Sequence, residues 1–377
     1  MTAPPTGRTR SEAPRRYRAA IIGTGRIASL LERDPLRPKP YTHAAHYRMH
    51  PCTDLVAGCD LDPERLVMFG DDWDIAVDQR YADHHTMLEA ERPDIVSVCA
   101  YAPDRLRMCR DALEAGARGL WIEKAVAASV DEAREIDRLV RAAGAAAIVD
   151  HPRRSDTRYR AVARWIRDET FGRLESIHVL FSGHLIHTGT HAWDLLLDWC
   201  GPWARVQARL DADRDEGARG SDGRLARQPA LPPRAADAIR DRGGRARIVF
   251  ENGVEAFVSG GAKAYFVFQC DLIFSRGRVR IGNDVWEVAT PAESPRYSGF
   301  LELAAHDPAP FIEPADVYAT PMLADLVLAM QGGPPPLQSV ASAVSALELG
   351  IAVLQAGLAD ATVTPATVDP SLRVFSV

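Results

Sequence analysis

Six residues near the start of the chain, Gly23-Thr24-Gly25-Arg26-Ile27-Ala28, constrain its fold more than any others. They follow an apolar run at 19–22 and lead into Ser29-Leu30-Leu31, the pattern of a strand, a glycine turn and a helix start. The spacing G-x-G-x-x-A suits a turn that approaches a dinucleotide. Gly23 permits the sharp reversal, Gly25 keeps a Cβ out of the way of a pyrophosphate, and Ala28 holds helix and strand close. The helix start then offers free N–H groups to phosphate. Thr24, Arg26 and Ile27 are expected to contact the cofactor together with the two glycines.

The rest of the first 150 residues alternates in the same way. Apolar runs at 54–59, 94–100, 119–122 and 145–149 read as buried strands, and 42–49, 103–115 and 129–143 as helices, the last two stopped by Gly116 and Gly144. This predicts a doubly wound parallel sheet with ligands at the carboxyl ends of its strands. Gly23, Asp60, Ala100-Tyr101 and Glu123-Lys124 all stand at such ends. An acid at the position of Asp60 accepts hydrogen bonds from the adenosine ribose and repels a 2′-phosphate. Residues 61–64 supply no cation, so NAD is expected and NADP is less favoured. Only Lys39, Lys124 and Lys263 are lysines among 45 basic residues. Where arginine is so preferred, a lysine points to chemistry arginine cannot do, because its amine can lose a proton.

Beyond residue 170 the pattern becomes half-alternating. Strands are expected at 174–181, 245–250, 254–259, 266–274 and 278–281, with hairpin turns at 251–253 and 275–277. Helices are expected at 159–168, 190–199, 315–330 and 340–358. The chain therefore reads as α/β. A leader at 1–16 precedes an amino-terminal Rossmann doubly wound parallel sheet at 17–150. A carboxy-terminal α+β domain with an open, largely antiparallel sheet follows at 151–377. Residues 211–244 form a polar insertion with one helix at 234–240, and the last helices are placed to pack back on the first domain.

Net charge is −6, so nothing here attracts nucleic acid or an anionic membrane. No apolar run of about 18 residues is apparent. Six cysteines without a C-x-x-C pair fit reduced thiols in a cytoplasm.

The histidines admit two readings. His184, His187, His191 and Asp194 have the spacing H-x2-H-x3-H-x2-D, a ligand set that would suit a zinc hydrolase. His43, His46 and His50 repeat that histidine spacing without any other sign of a site, and no H-E-x-x-H motif is present. No metal is expected.

The whole run of motifs resembles the Gfo/Idh/MocA family (glucose–fructose oxidoreductase, inositol dehydrogenase and MocA). The resemblance is carried by 20–28 (IIGTGRIA in its core), LVAGCDLDPER at 55–65, RPDIVSVCAYAPD at 92–104 and WIEKAVA at 121–127. It continues through HPRRSDTRY at 151–159 and GTHAWDLLLDWCG at 189–201. It implies that Lys124 contacts nicotinamide and substrate, and that His191, in the G-x-H-x-x-D pattern of Gly189, His191 and Asp194, is the catalytic histidine. It implies that Arg153, Arg154 and Tyr159 border the substrate pocket, and that the open sheet packs against a second subunit in a homodimer or homotetramer. The chain departs from the family at Ala125 for proline, Ala100-Tyr101 for Thr-Pro, Arg105 for histidine and His187 for aspartate.

A histidine near its ordinary pKa of ~6.5 suits removal of a hydroxyl proton. His191 is the expected base, Lys124 the group that holds the substrate oxygen, and His187 an orienting group or a second base. Asp194 orients His191 or borders the substrate. The expected activity is NAD-dependent hydride transfer to or from a secondary alcohol of a sugar, cyclitol or sugar-containing metabolite, aminoglycosides included. A non-catalytic nucleotide-binding sensor of the same fold is the alternative.

Overall fold

The structure is a computed structural model and describes residues 16–212, 237–306 and 320–376. Strands β1 (Tyr17–Ile22), β2 (Thr53–Cys59), β3 (Arg80–Tyr81), β4 (Ile95–Val98), β5 (Gly119–Ile122) and β6 (Ala146–Val149) form the first sheet. All run parallel in the order β3-β2-β1-β4-β5-β6. Between them lie α1 (His43–Met49), α2 (Pro63–Trp73), α3 (His84–Glu91), α4 (Ala102–Glu114) and α5 (Val130–Ala142). β4 and β5 are buried at every position, as expected for strands covered on both faces. Alternate residues divide the core. Ala19 and Ile21 pack with Tyr47, Phe69 and Trp121, whereas Ala20 and Ile22 join the larger cluster on the other face.

One expected element is missing. The helix read straight after the glycine turn is a loose turn, in which Ser29 and Leu30 N–H both donate to Gly25 O, followed by the short 3-10 helix Leu30–Arg33. Prolines at 35, 38 and 40 cannot donate to a helical ladder and end it there.

The second half contains α6 (Thr157–Arg167), β7 (Leu174–Ser182), α7 (Gly189–Cys200), β8 (Trp203–Leu210), β9 (Ile239–Arg240), β10 (Gly244–Phe250) and β11 (Glu255–Gly261). It continues with β12 (Phe268–Phe274), β13 (Gly277–Gly282), β14 (Trp286–Glu293), β15 (Leu301–His306), α8 (Thr320–Met330), α9 (Val340–Ala359) and β16 (Val374–Phe375). Eight strands form the second sheet in the order β15-β14-β13-β12-β7-β11-β10-β8, antiparallel except at β7-β11. β12 alternates buried and half-buried residues along its whole length, which makes one face core and the other solvent.

Several boundaries differ from expectation. β12 starts at Phe268; Tyr265 and Phe266 lie before it, 59% and 72% exposed, because the chain has not yet entered the sheet. Of the helix read at 234–240, the described part is not helical: Ile239–Arg240 pairs in parallel with β16, a strand-to-strand contact that overrides local pattern. Residues 1–15, 213–236 and 307–319 lie outside the described residues, and with them most of the leader, most of the insertion and the start of the helix read at 315.

The two sheets share one core. Met322, Leu323, Leu326 and Val327 of α8 pack in the cluster of the first sheet, and α9 lies against α5, α7 and β8. By length and mean hydropathy (1.6) α9 could cross a membrane, although a run of that kind was not apparent in the sequence; here it is a mostly buried core helix. The carboxyl end ties the halves together. Val374 N donates to Ala128 O at 2.8 Å, Asp131 N to Pro370 O at 3.0 Å, and Arg373 pairs with Glu132 and Asp237.

Candidate active site

The glycine turn sits hard against the end of β4. Gly23 has φ +89°, and a Cβ there would lie 3.0 Å from Cys99 C and 3.1 Å from Ala100 N, so only glycine fits. A Cβ on Gly25 would meet nothing nearer than Arg65 Nη1 at 3.8 Å. That open approach, beside the Gly25, Arg26 and Ile27 amides that no acceptor among the described residues takes up, suits a pyrophosphate. Asp60, at the end of β2, accepts from Thr24 N at 2.8 Å, Thr24 Oγ1 at 3.2 Å and Asp62 N at 3.0 Å. It thus braces the turn. Arg65 of α2 brings Nη1 to 3.9 Å from Asp60 Oδ1, a cation one residue past the stretch in which none was found.

β5 delivers Glu123 and Lys124 beside this turn. Arg105 of α4 donates Nε to Ala100 O at 2.9 Å and Nη1 to Ala125 O, which pins the loops after β4 and β5 together. The Lys124–Ala125 peptide is cis. Behind the lysine, Glu123 lies 3.5 Å from His43 Nε2 and hydrogen-bonds Asp150, while His43 Nδ1 meets Ser97 Oγ at 2.9 Å and its ring lies tilted against Trp121, centroids 4.0 Å apart. Burial pushes both acids up, but His43 and Lys124 overcome it at Glu123, which falls to about 2. Asp150, buried beside that charge, rises well above the carboxylate range and holds the pair's one proton. Burial lowers Lys124, and Glu123 offsets part of that.

The opposite wall comes from the second half. Lys124 Nζ donates to His187 O at 2.7 Å, just before α7, and His191 lies one turn into that helix. The His187 backbone takes this contact; its ring is exposed in the cleft. Asp241 accepts from His187 N at 2.7 Å, Ile186 N at 2.9 Å and Ser376 Oγ at 2.8 Å. His191 stands edge-on to His151 (5.6 Å) and Phe268 (6.4 Å), with its Nδ1 buried and unpartnered. Burial, then the charges of Arg153 and Lys124, hold His191 well below 6.5. Lys124 and then burial do the same to His187. Both rings are neutral at pH 7, able to accept a proton.

The other expected residues separate. Arg153 Nη2 donates to Asn283 Oδ1 at 3.1 Å and its guanidinium lies 3.8 Å over Phe268, on the His191 side. Arg154 points away, bonded to Asp194 at 3.3 Å, Asp198 at 2.6 Å and Leu337 O at 3.1 Å. Asp194 is wholly buried; burial lifts it to about 7 and Arg154 opposes this. Tyr159 is 1% exposed and stacks on Trp199, so it is a core residue out of a ligand's reach. Tyr101, at the start of α4, is exposed and 6.5 Å from Phe375. Among the described residues the H-x2-H-x3-H-x2-D set does not bring three donors within 4.8 Å, since Asp194 turns to Arg154; His43/Glu123/Asp150 and His84/His85/Asp111 do. His43, Asp150, Asp241, Arg65 and Ser376 were not singled out from the sequence.

Residues 17–151 match the Gfo/Idh/MocA oxidoreductase family, described as an NAD-binding Rossmann fold. This segment belongs to the Gfo/Idh/MocA family. Over these residues the chain is similar to an NAD-binding Rossmann-fold oxidoreductase. Solved structures resemble it over nearly its full length. One is a putative NADPH-dependent oxidoreductase of Desulfitobacterium hafniense (TM-score 0.74, 16% identity, 94% of this chain and 99% of that one). Another is the WlbA dehydrogenase of Bordetella pertussis with NADH and UDP-GlcNAcA (0.70, 16%, 93% and 99%). A third is myo-inositol 2-dehydrogenase of Lactobacillus plantarum (0.68, 20%, 93% and 99%). No curated protein matches the sequence. Asp241, just after β9, holds the Ile186 and His187 amides of the segment that Lys124 meets.

Proposed function

We propose that the chain is an NAD-dependent dehydrogenase that moves hydride between nicotinamide and a secondary alcohol or ketone of a sugar, cyclitol or sugar-containing metabolite. The observation that carries this is the 2.7 Å bond from Lys124 to His187 O, which brings a lysine from the cofactor sheet against the helix start bearing His191. Gly23, Gly25, Arg26 and Asp60 would hold the dinucleotide, which supplies the hydride acceptor when bound. The remaining work falls to the protein. Neutral His191 removes the hydroxyl proton, and the Lys124 ammonium donates to the same oxygen as negative charge grows on it. In reduction both steps reverse. The exposed His187 ring orients the substrate.

Asp60 disfavours a 2′-phosphate, while Arg65 at 3.9 Å softens that exclusion. NAD is the preferred cofactor. A cytoplasmic homo-oligomer is the proposed state, its contact the outward face of the second sheet, where half-exposed Phe257 stacks on His178.

Hydride transfer on a panel of polyols, cyclitols and amino sugars, read at 340 nm with NAD and with NADP, tests this. Turnover with NAD on at least one is expected, and Asp60→Ala should narrow the preference over NADP. NAD binding without turnover on any would leave the sensor reading in its place.

A further inference from the structure

Two adjacent arginines in this cleft have opposite electrostatic fates. Arg154 is neutralised by Asp194 and Asp198. Among the described residues Arg153 has no carboxylate partner: its guanidinium rests on the Phe268 ring at 3.8 Å, Nη2 meets the neutral amide of Asn283, and Nε is buried with no hydrogen-bond partner there. Stacking on a ring and one neutral hydrogen bond compensate a guanidinium only in part. The acids nearby are already committed. Asp194 serves Arg154, Asp241 serves two backbone amides and Ser376, Asp271 pairs with Arg278, and Glu123 and Asp150 share a proton behind Lys124. The Cys270 thiol near Arg153, pushed up to about 12 by burial, is neutral.

Arg153 and His191 flank the same phenyl ring, His191 with its centroid 6.4 Å away. Lys124 and the exposed Arg26 add positive charge from the cofactor wall, and both act on the His187 ring. Lys124 is offset in part by Glu123 and Asp241, but no carboxylate among the described residues supplies the charge that would compensate Arg153.

We infer that the substrate brings this charge: the site takes a sugar or cyclitol derivative bearing a carboxylate or phosphate, which Arg153 binds while His191 faces the reacting hydroxyl. A guanidinium fork matches either group in paired hydrogen bonds. This rests on the dehydrogenase reading and sharpens it by substrate class.

The test uses the full chain with NADH, whose fluorescence reports binding without turnover. Matched neutral and acidic probes are titrated: glucose against glucuronate and glucose 6-phosphate, and galactose against galacturonate and galactose 1-phosphate. In at least one set the acid should bind about tenfold to hundredfold more tightly. That ratio should collapse in Arg153→Met and return in part in Arg153→Lys. The uronate and phosphate arms tell which anion is read, and the NADH titration itself verifies that each variant folds. No acid outbinding its neutral partner, or a ratio that survives Arg153→Met, overturns the inference. Acid preference without hydride transfer from any probe would instead overturn the dehydrogenase reading alone.

Discussion

The two walls of the cleft are held by different forces. On the cofactor side, Gly23, Asp60, Ala100 and Lys124 all leave strands of one parallel sheet, so ladder hydrogen bonds set their positions before any side chain acts. On the substrate side, Arg153 sits on a 3-10 turn, His187 in a loop, His191 in the first turn of α7 and Asp241 after a two-residue strand. These are placed by side chains reaching across long stretches of chain, such as Lys124 to His187, 63 residues apart, and Asp241 to Ser376, 135 apart. The first wall is generic to dinucleotide chemistry. The second depends on contacts between residues far apart in the chain.

Separating the walls by mutation gives the largest effect. His191→Ala removes the proposed base and should lower kcat/KM by about 10² to 10⁴-fold while the Kd for NAD stays within about twofold. Lys124→Ala should act similarly on turnover, because the proposed role of the amine is to hold the substrate oxygen. Stopped-flow turnover and NAD titration by fluorescence would check both. A His191→Ala enzyme with full turnover would move the base to His187 or Lys124.

A matched pair of buried histidines compares the halves in stability. His46, under the first sheet, is held at about 4 by burial, and His151, in the substrate wall, at about 3. Unfolded, each titrates near 6.5. Below that pH the unfolded chain binds the proton and the native one does not, so the native state loses stability as pH falls from 6.5 towards the folded value. At pH 5 each costs about 2 kcal/mol relative to pH 7. Urea unfolding of His46→Gln at the two pH values should therefore show a pH dependence smaller than wild type by about 2 kcal/mol. Asp194 carries the opposite sign. Its pKa of about 7 makes the native state hold the extra proton, so its contribution falls as pH rises from 3.8 to 7. An unchanged pH dependence in His46→Gln would mean that water reaches the ring.

The same contrast explains what could be read in advance. The glycine turn, Asp60 and Glu123-Lys124 were legible because strand-end position and spacing are local properties. Arg65 lies one residue beyond the window scanned after Asp60. His43 was set aside because its partner Glu123 is 80 positions away and leaves no mark on local pattern. Asp241 hides in a charge-rich stretch, and its partners are mainly backbone amides, which sequence does not specify. Of β14 and β15 only Val288 is buried, so they show no apolar alternation to read. Tyr159 fits the motif that borders the pocket, yet its side chain turns into the core against Trp199.

Asp241 is the residue that joins the two walls, and its removal gives the smallest but most specific effect. Its carboxylate fixes the amides of Ile186 and His187, and the His187 carbonyl receives Lys124. Burial and Arg105 lower the lysine's pKa, and the charges of Glu123 and Asp241 oppose them; the His187 and His191 rings face it from α7's start. Asp241→Asn keeps an acceptor for the amides but removes charge, so the ammonium should lose its proton at lower pH and the basic limb of the kcat profile should move down. Asp241→Ala also frees the loop and should lower kcat about tenfold, with the Kd for NAD unaltered. A merely structural role would lower both variants alike and leave the limb where it was. If Asp241→Ala keeps wild-type kcat and an unmoved limb, Lys124 is placed by its own sheet alone and the walls act independently.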